Sequence, residues 1–185
     1  VNLFGESMIA SYTVATRMEN ILMIPIIGIQ NTMATFAGQN MGARQPERVS
    51  KGLGQGVLVS LFMTAALCVC QLLGMELIIR AFKLDAAAAA ICRQHLFASV
   101  LSEPIFAIYF PANGMFQGVG EGFHATFYAL MALGLRVVFA YSLYRTAFFG
   151  YTAIWWSQAM AWSLTLITCY AHFFRGKWKE KSLVS

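Results

Sequence analysis

The stretch SYTVATRMENILMIPIIGIQNTMATFAGQNMGARQPERVSK, residues 11–51, decides the fold of this chain. No ionisable residue occurs from Ile21 to Ala37, so every face of a helix built from this segment is uncharged. A surface helix of a soluble domain instead shows a charged face to water. The segment therefore predicts a membrane-crossing helix, with Arg17 and Glu19 in its first part. It leads into a polar turn whose basic residues are Arg44, Arg48 and Lys51.

The composition of the whole 185-residue chain also indicates a membrane protein. Hydrophobic residues make up 58% of the chain and charged residues 11%, whereas an average soluble domain has about 25% charged residues. The 24 residues between Lys51 and Glu76 and the 29 between Arg145 and Arg175 carry no formal charge. Each run exceeds the roughly 20 residues that cross the hydrocarbon layer. The alternative, a very apolar soluble helical domain, requires shorter apolar runs.

The predicted fold class is all-α, a polytopic transmembrane bundle of about five helices. The helices are predicted at about residues 9–38, 53–75, 88–113, 123–144 and 149–173. The bundle is assigned to residues 1–174 and a basic tail to residues 175–185. Since the tail and the first turn are both basic, both are predicted to face the cytoplasm. The four helices between them return the chain to the same side of a membrane, which we expect to be a bacterial cytoplasmic membrane.

Net charge and cysteine content limit the kinds of partner and metal site that the chain is expected to have. The net charge is +5, but the basic residues lie beside apolar segments and do not alternate with aromatic residues as in a nucleic-acid surface. Membrane lipids are therefore expected partners, and nucleic acid is not. The four cysteines lie in or beside apolar runs and lack the paired spacing of a zinc site. They are predicted to be packing residues: Cys68, Cys70, Cys92 and Cys169.

The sequence contains no recognisable catalytic motif. His95, His124 and His172 are far apart in the chain, and no Ser-His-Asp, His-Glu-x-x-His or paired-carboxylate pattern is present. We therefore expect a protein that is not an enzyme and uses no organic cofactor. No metal site is predicted beyond a sodium ion at a membrane carboxylate.

Glu103 is that carboxylate, near the middle of the third predicted helix. A charge at this depth costs at least about 2.5–3.5 kcal/mol, so the group must be protonated, paired or facing water. Pro104 and Pro111 free two backbone carbonyls nearby, and a carboxylate beside unwound helix is typical of ion-coupling sites in transporters. Glu103 is the first candidate for coupling to a sodium ion or a proton. The alternative is a structural carboxyl group hydrogen-bonded to a neighbouring helix.

Other polar residues in the apolar segments are weaker candidates. Glu19 is a second coupling candidate, with a charge that snorkels to the interface as its alternative. Arg136 interrupts the fourth helix, and Glu103 or Glu19 is its expected partner. The candidates for lining a polar cavity are Arg17, Asn31, Tyr109, Asn113 and Arg136. For the uncharged ones, interhelical hydrogen bonding is the alternative use.

The segment ATRMENILMIPIIGIQNTMATFAGQNMGARQPERV resembles the multidrug and toxic compound extrusion (MATE) family of cation-coupled antiporters. The family pattern is an Arg and an acid, a helical Pro and Gly, and a GQN-x-GA turn. Further segments resemble family motifs in the same order: RAFKLD, FQGVGEG, LRVVFAYSL and FGYTAIWWSQAMAW. The resemblance implies the eighth to twelfth helices of a twelve-helix transporter, with an N-terminal lobe as the missing partner.

The chain departs from the family pattern at three places. Gln117 stands where an Arg is usual, Glu121-Gly122 stands where an Asp is usual, and Val137 follows Arg136 where Pro is usual. Glu103 lies in the helix that often carries the coupling acid, about one turn from the usual position.

Three functions follow as hypotheses. The first is a fragment of an antiporter that exports drugs or organic cations in exchange for sodium ions or protons. The second is a flippase of lipid-linked saccharides from the same superfamily, which needs a basic cavity. The third is a non-transporting membrane anchor module, against which Glu103 argues.

Overall fold

Five long α-helices build the parts of the chain that the computed structural model describes, residues 5–145 and 150–180. They are α1 (Glu6–Gly42), α2 (Pro46–Ala81), α3 (Ala86–Gly118), α4 (Gly122–Tyr144) and α5 (Ala153–Arg175). Two short 3₁₀ turns, Gly150–Thr152 and Lys177–Glu180, flank α5. No strand occurs in these ranges, so the predicted all-α fold is confirmed.

The first three helices extend well beyond their predicted ends. α1 has 37 residues, or about 55 Å at 1.5 Å per residue, because its helix continues through the polar residues of the GQNMG segment. α2 begins at Pro46, a residue suited to the first turn of a helix, and includes the charged residues up to Lys51. The hydropathy pattern marks where the hydrocarbon layer ends, and these helices continue past it.

Four helices, α1 to α4, are long and apolar enough to cross a membrane. α5 has the same length as α4, 23 residues, but its tryptophan, serine, glutamine and histidine side chains make it less apolar. Five helices are thus long enough to cross a membrane, as predicted. Among the described residues, four of these helices are also sufficiently apolar in composition.

The two ends of the bundle can be assigned from contacts between its connections. At one end the tail Lys179 Nζ lies 3.0 Å from Oε1 of Glu47, just after the first turn. At the other end the Tyr151 hydroxyl donates to Gln94 Oε1 over 2.7 Å. The first turn and the start of the tail therefore lie together, as their basic residues predicted. We call this the basic end. Residues 181–185 of the predicted tail lie outside the described ranges.

Helices α1 and α3 make the closest contact in the bundle. A Cβ atom on Gly114 would collide with the backbone carbonyl of Gln30, and one on Gly118 with that of Ala34. Only glycine lets two helix backbones approach this closely, as small residues four apart do in membrane helix pairs. The two glycines thus fix the spacing of α1 and α3 near the basic end.

α3 remains one continuous helix through both of its prolines, Pro104 and Pro111. The helix is therefore continuous beside Glu103, as the predicted range of residues 88–113 implies. Each proline still removes one backbone N–H, so the carbonyls of Val100 and Ala107 lose their usual helical partner. The surrounding helices support α3, which is the most buried of the candidate spans.

The outer faces of the bundle carry large apolar side chains. Phe62 and Leu73 on α2 and Phe123 on α4 are each about 80% exposed within this chain. Patches of this kind mark surfaces that contact lipid or another apolar partner, which agrees with membrane-spanning helices.

Candidate functional site

A cavity of about 220 Å³ opens between α1, α3, α4 and α5. Three of the predicted site residues, Glu19, Glu103 and Arg136, line it together. Its other walls are mostly polar and aromatic, with two aliphatic side chains, and come from all four helices: Tyr12, Thr16, Asn20, Met23, Phe106, Phe110, Leu133, Gln158 and Trp162. We call this space the carboxylate cavity.

Glu103 contributes the most enclosed polar group of the carboxylate cavity. The residue is 1% exposed and lies roughly 26 Å from the start and 22 Å from the end of α3 at 1.5 Å per residue. Its Oε2 atom is buried and finds no hydrogen-bond partner among the described residues. A buried oxygen without a partner is costly to maintain, and a proton or a small cation bound there relieves that cost.

Glu19 is held by a histidine that the sequence did not single out as a site residue. His95 Nε2 lies 3.0 Å from Glu19 Oε1, and the two side chains are 3% and 17% exposed. The imidazole stacks between Tyr12, with ring centroids 5.5 Å apart, and Trp155, with centroids 4.7 Å apart. This enclosure disfavours the alternative of Glu19 as an interfacial charge.

Arg136 does not form the predicted ion pair with either glutamate. In the described ranges no carboxylate lies within ion-pair distance of its guanidinium, although all three side chains face the carboxylate cavity. The two acids lie on α1 and α3 and Arg136 on α4. The cavity therefore brings together two carboxyl groups and, among the described residues, one guanidinium group.

Sequence comparison identifies the family. A family model described as MatE matches residues 1–142. The chain belongs to the MatE family. Over 184 residues it is 19% identical to the probable multidrug resistance protein YoeA of Bacillus subtilis strain 168, a match that covers 99% of this chain and 40% of that protein. The chain thus spans about two fifths of that relative. The predicted family resemblance is confirmed.

A second relative matches over a shorter segment. The FAD transporter of Shewanella oneidensis is 34% identical over 48 residues, 26% of this chain and 11% of that protein. The MatE assignment and the four long apolar helices together make this chain an integral membrane protein.

Two predicted cavity residues of the MatE chain lie away from the carboxylate cavity. Arg17 is exposed, and its guanidinium carbon lies 5.9 Å from the centre of the Phe82 ring near the α2–α3 connection. Asn31 is exposed on α1. Arg17 projects roughly 200° from Glu19 around the helix, which explains why only the acid reaches the cavity.

Tyr109 and Asn113 belong to a buried hydrogen-bond network beside the Gly114 contact. Asn113 Oδ1 accepts from Gln30 Nε2 over 2.9 Å and from Gln117 Nε2 over 2.7 Å. Its Nδ2 donates to the Tyr109 hydroxyl and to the Ala125 carbonyl, each over 2.9 Å. The network joins α1, α3 and α4, which is the interhelical use that the sequence left open for these residues.

Proposed function

We propose that this chain is part of a secondary active transporter that exports organic, often cationic, compounds in exchange for sodium ions or protons. Glu103 is the coupling residue in this proposal. The observation that carries it is the buried, unpartnered Oε2 of Glu103 at the wall of the carboxylate cavity. Its position deep in a membrane helix, where ionisable residues mark ion pathways, adds support.

The proposed mechanism is competition within one cavity. A proton or sodium ion on Glu103 neutralises the carboxylate, so a cationic substrate loses its best electrostatic partner and leaves. Loss of the ion restores the negative charge and favours substrate binding again. Because each ligand favours a different conformation of the helices, ion entry and substrate exit are coupled.

Glu19 acts in this scheme as the second, less mobile charge. His95 fixes its orientation through the 3.0 Å contact, and the stacked rings keep water away from that pair. Glu19 lines the same cavity as Glu103, so the two carboxyl groups together attract a cation or a proton to that space.

The remaining features of the proposal concern setting and partners. The transporter lies in a bacterial cytoplasmic membrane with its basic tail in the cytoplasm, and it acts by transport without enzymatic chemistry, organic cofactor or nucleic acid. Lipid and an N-terminal lobe of the same transporter cover the apolar outer faces of the five helices.

Charge in the cavity disfavours the alternative of a flippase for lipid-linked saccharides. The pyrophosphate of such a lipid needs several cations, but among the described residues Arg136 is the one basic side chain that lines the carboxylate cavity, and Arg17 lies elsewhere. The burial of Glu103 likewise disfavours a passive anchor, since a costly buried carboxyl group has no use there. The short FAD-transporter match makes a flavin dinucleotide a worthwhile second substrate for testing.

The test uses the full-length protein in liposomes loaded with a fluorescent organic cation. We expect flux to accelerate under an inward sodium or proton gradient and to return to the basal rate when an ionophore collapses that gradient. Glu103→Gln should remove the acceleration. Glu76→Gln is the matched control, because Glu76 pairs with Arg93 at an exposed site outside the cavity, with an Nε–Oε1 distance of 2.6 Å.

Three outcomes would contradict the proposal. One is gradient-driven flux that persists unchanged in Glu103→Gln. Another is flux of a lipid-linked saccharide without flux of the organic cation. The third is an absence of flux for the cation and for flavin dinucleotide in protein that is folded and correctly inserted.

A further inference from the structure

A second cluster of ionisable side chains lies at the basic end, remote from the carboxylate cavity. Glu121 is the residue before α4, His124 lies in the first turn of α4, and His172 lies in the last turn of α5. These residues are distant in sequence, but one potential ligand atom from each lies within 4.8 Å of the other two. The fold thus assembles two imidazoles and a carboxylate.

Two of the three distances within the cluster are close to those between ligands of one metal ion. His172 Nε2 lies 3.2 Å and His124 Nδ1 lies 3.6 Å from Glu121 Oε2. Metal–ligand bonds of about 2.0–2.1 Å in a tetrahedron place neighbouring ligand atoms about 3.3 Å apart. The cluster therefore needs only small side-chain adjustments to surround an ion.

The environment of His172 prepares it for metal binding. Its Nδ1 lies 2.8 Å from the Tyr128 hydroxyl, and its ring stacks on Phe116 with centroids 4.9 Å apart. With a proton on Nδ1 donated to Tyr128, the Nε2 lone pair points toward Glu121. A partner on the second ring nitrogen is the usual way proteins orient a ligating histidine.

A cavity of about 500 Å³ adjoins the cluster and supplies an open ligand position. Glu121 is only 5% exposed, whereas the His124 side chain is 44% exposed and meets this cavity. Arg175 and Lys177 also line the cavity. They oppose a bare dication, but they favour an anion such as chloride or hydroxide as the fourth ligand.

We propose that Glu121, His124 and His172 bind a transition-metal dication, with Zn²⁺ as the best chemical fit. Two histidines and one carboxylate with one open position form a common zinc ligand set. The bound ion ties the end of α5 to the α3–α4 connection, so it stabilises the bundle at the basic end. This site is separate from the Glu103 site and does not depend on its role.

The experiment measures metal binding by the full-length protein in detergent after chelation and dialysis. Cys70→Ser is the background, because Cys70 is an exposed free thiol that would bind metal on its own. We expect Co²⁺ to give the intense visible absorption of a tetrahedral complex and Zn²⁺ to displace it. Zn²⁺ should also raise the melting temperature.

Variants distinguish this site from non-specific binding. His124→Gln and His172→Gln should each weaken Zn²⁺ binding by at least about 100-fold, and Tyr128→Phe by about 10- to 100-fold, as expected for loss of a ligand's hydrogen-bond partner. Glu76→Gln is the control and should bind as the background does. His124 is partly exposed, so its replacement is expected to preserve the fold, which helical circular dichroism checks.

Two results would overturn the inference. One is Co²⁺ binding without a tetrahedral spectrum. The other is Zn²⁺ binding of equal strength in the background and in the folded His124→Gln and His172→Gln variants.

Discussion

Helices α1 and α3 meet in two very different ways along their shared length. Near the basic end, Gly114 and Gly118 bring the two backbones into contact, and Asn113 bridges them with hydrogen bonds. Toward the opposite end, residues 12–23 of α1 and residues 95–110 of α3 contain no glycine, and the carboxylate cavity opens beside them. We call these the packed half and the cavity half.

The difference shows how one helix pair can combine a rigid contact with an ion site. In the packed half every polar atom of the Asn113 side chain is hydrogen-bonded, whereas in the cavity half an oxygen of Glu103 is buried without a partner. Satisfied networks fix a structure, and unsatisfied groups mark places where a ligand changes it. We therefore expect stability to depend on the packed half and transport on the cavity half.

Gly114→Ala should have the largest effect on stability. The new Cβ atom would overlap the Gln30 carbonyl, so α1 and α3 must separate, at a cost of about 1–3 kcal/mol. Thermal unfolding in detergent measures the loss. Gly134→Ala is the control, because Gly134 is in α4 with no atom near its would-be Cβ. Equal melting temperatures for the two variants would contradict the claim that the close contact at Gly114 stabilises the bundle.

Asn113→Leu should have the next largest effect. It leaves Gln30, Gln117 and the Tyr109 hydroxyl without their shared partner, and we expect a loss of about 1–2 kcal/mol. Asn31→Leu is the matched control, since Asn31 is exposed on α1. The comparison is again made by thermal unfolding, and a loss as large in Asn31→Leu would show that the network contributes little.

His95→Phe changes the cavity half, so we expect it to affect transport more than stability. Phenylalanine preserves the aromatic stack with Tyr12 and Trp155 but removes the hydrogen bond to Glu19. We expect a smaller loss of stability than in Asn113→Leu, about 1 kcal/mol for one hydrogen bond, together with a several-fold loss of gradient-driven flux. Unchanged flux in a folded variant would show that the His95–Glu19 pair does not contribute to transport.

Asp85→Ala should have the smallest effect, and one that depends on pH. Asp85 Oδ1 accepts from the Ala88 amide over 2.7 Å and Oδ2 from the Ser7 hydroxyl over 3.0 Å. These hydrogen bonds, with that to Ala88 the larger cause, hold the pKa of Asp85 below its ordinary value. A lowered pKa stabilises the fold above the ordinary Asp pKa of about 3.9 and loses that effect as the pH falls through the folded value.

Melting temperatures across a pH series measure this effect. The wild type should be more stable than Asp85→Ala near pH 7, and the difference should shrink in acid. A difference that is constant from pH 7 down to about pH 2 would contradict stabilisation by the Asp85 hydrogen bonds, because it would mean that the charged form of Asp85 is not favoured by folding.

The sequence predicted the architecture because long uncharged runs and basic turns directly encode membrane helices and their ends. It also predicted that Glu103 lies deep in the bundle. The helix ends were missed, since α2 continues through polar residues such as Glu47 that hydropathy assigns to a turn. α3 continues through Pro104, as predicted, because packing around it preserves the helix despite a missing N–H.

Contacts between distant residues account for the parts of the site that the sequence did not reveal. Glu19 and His95 are 76 positions apart, and Glu121 and His172 are brought together by the packing of α5 on α4. Spacing in the sequence carries no signal for such pairs. One sequence signal does indicate the packed half. Gly114 and Gly118 are four residues apart, which is the spacing of close helix contacts in membranes.

The most direct test of Glu103 as the coupling residue measures whether substrate and coupling ion compete there. A fluorescent organic cation is added to the full-length protein in weakly buffered detergent, and released protons and released sodium ions are both recorded. If they compete, ion release should saturate with substrate in the wild type and in Glu76→Gln. Release should be absent in Glu103→Gln. Release of the same size in folded Glu103→Gln, or substrate binding in the wild type without release of either ion, would contradict that competition.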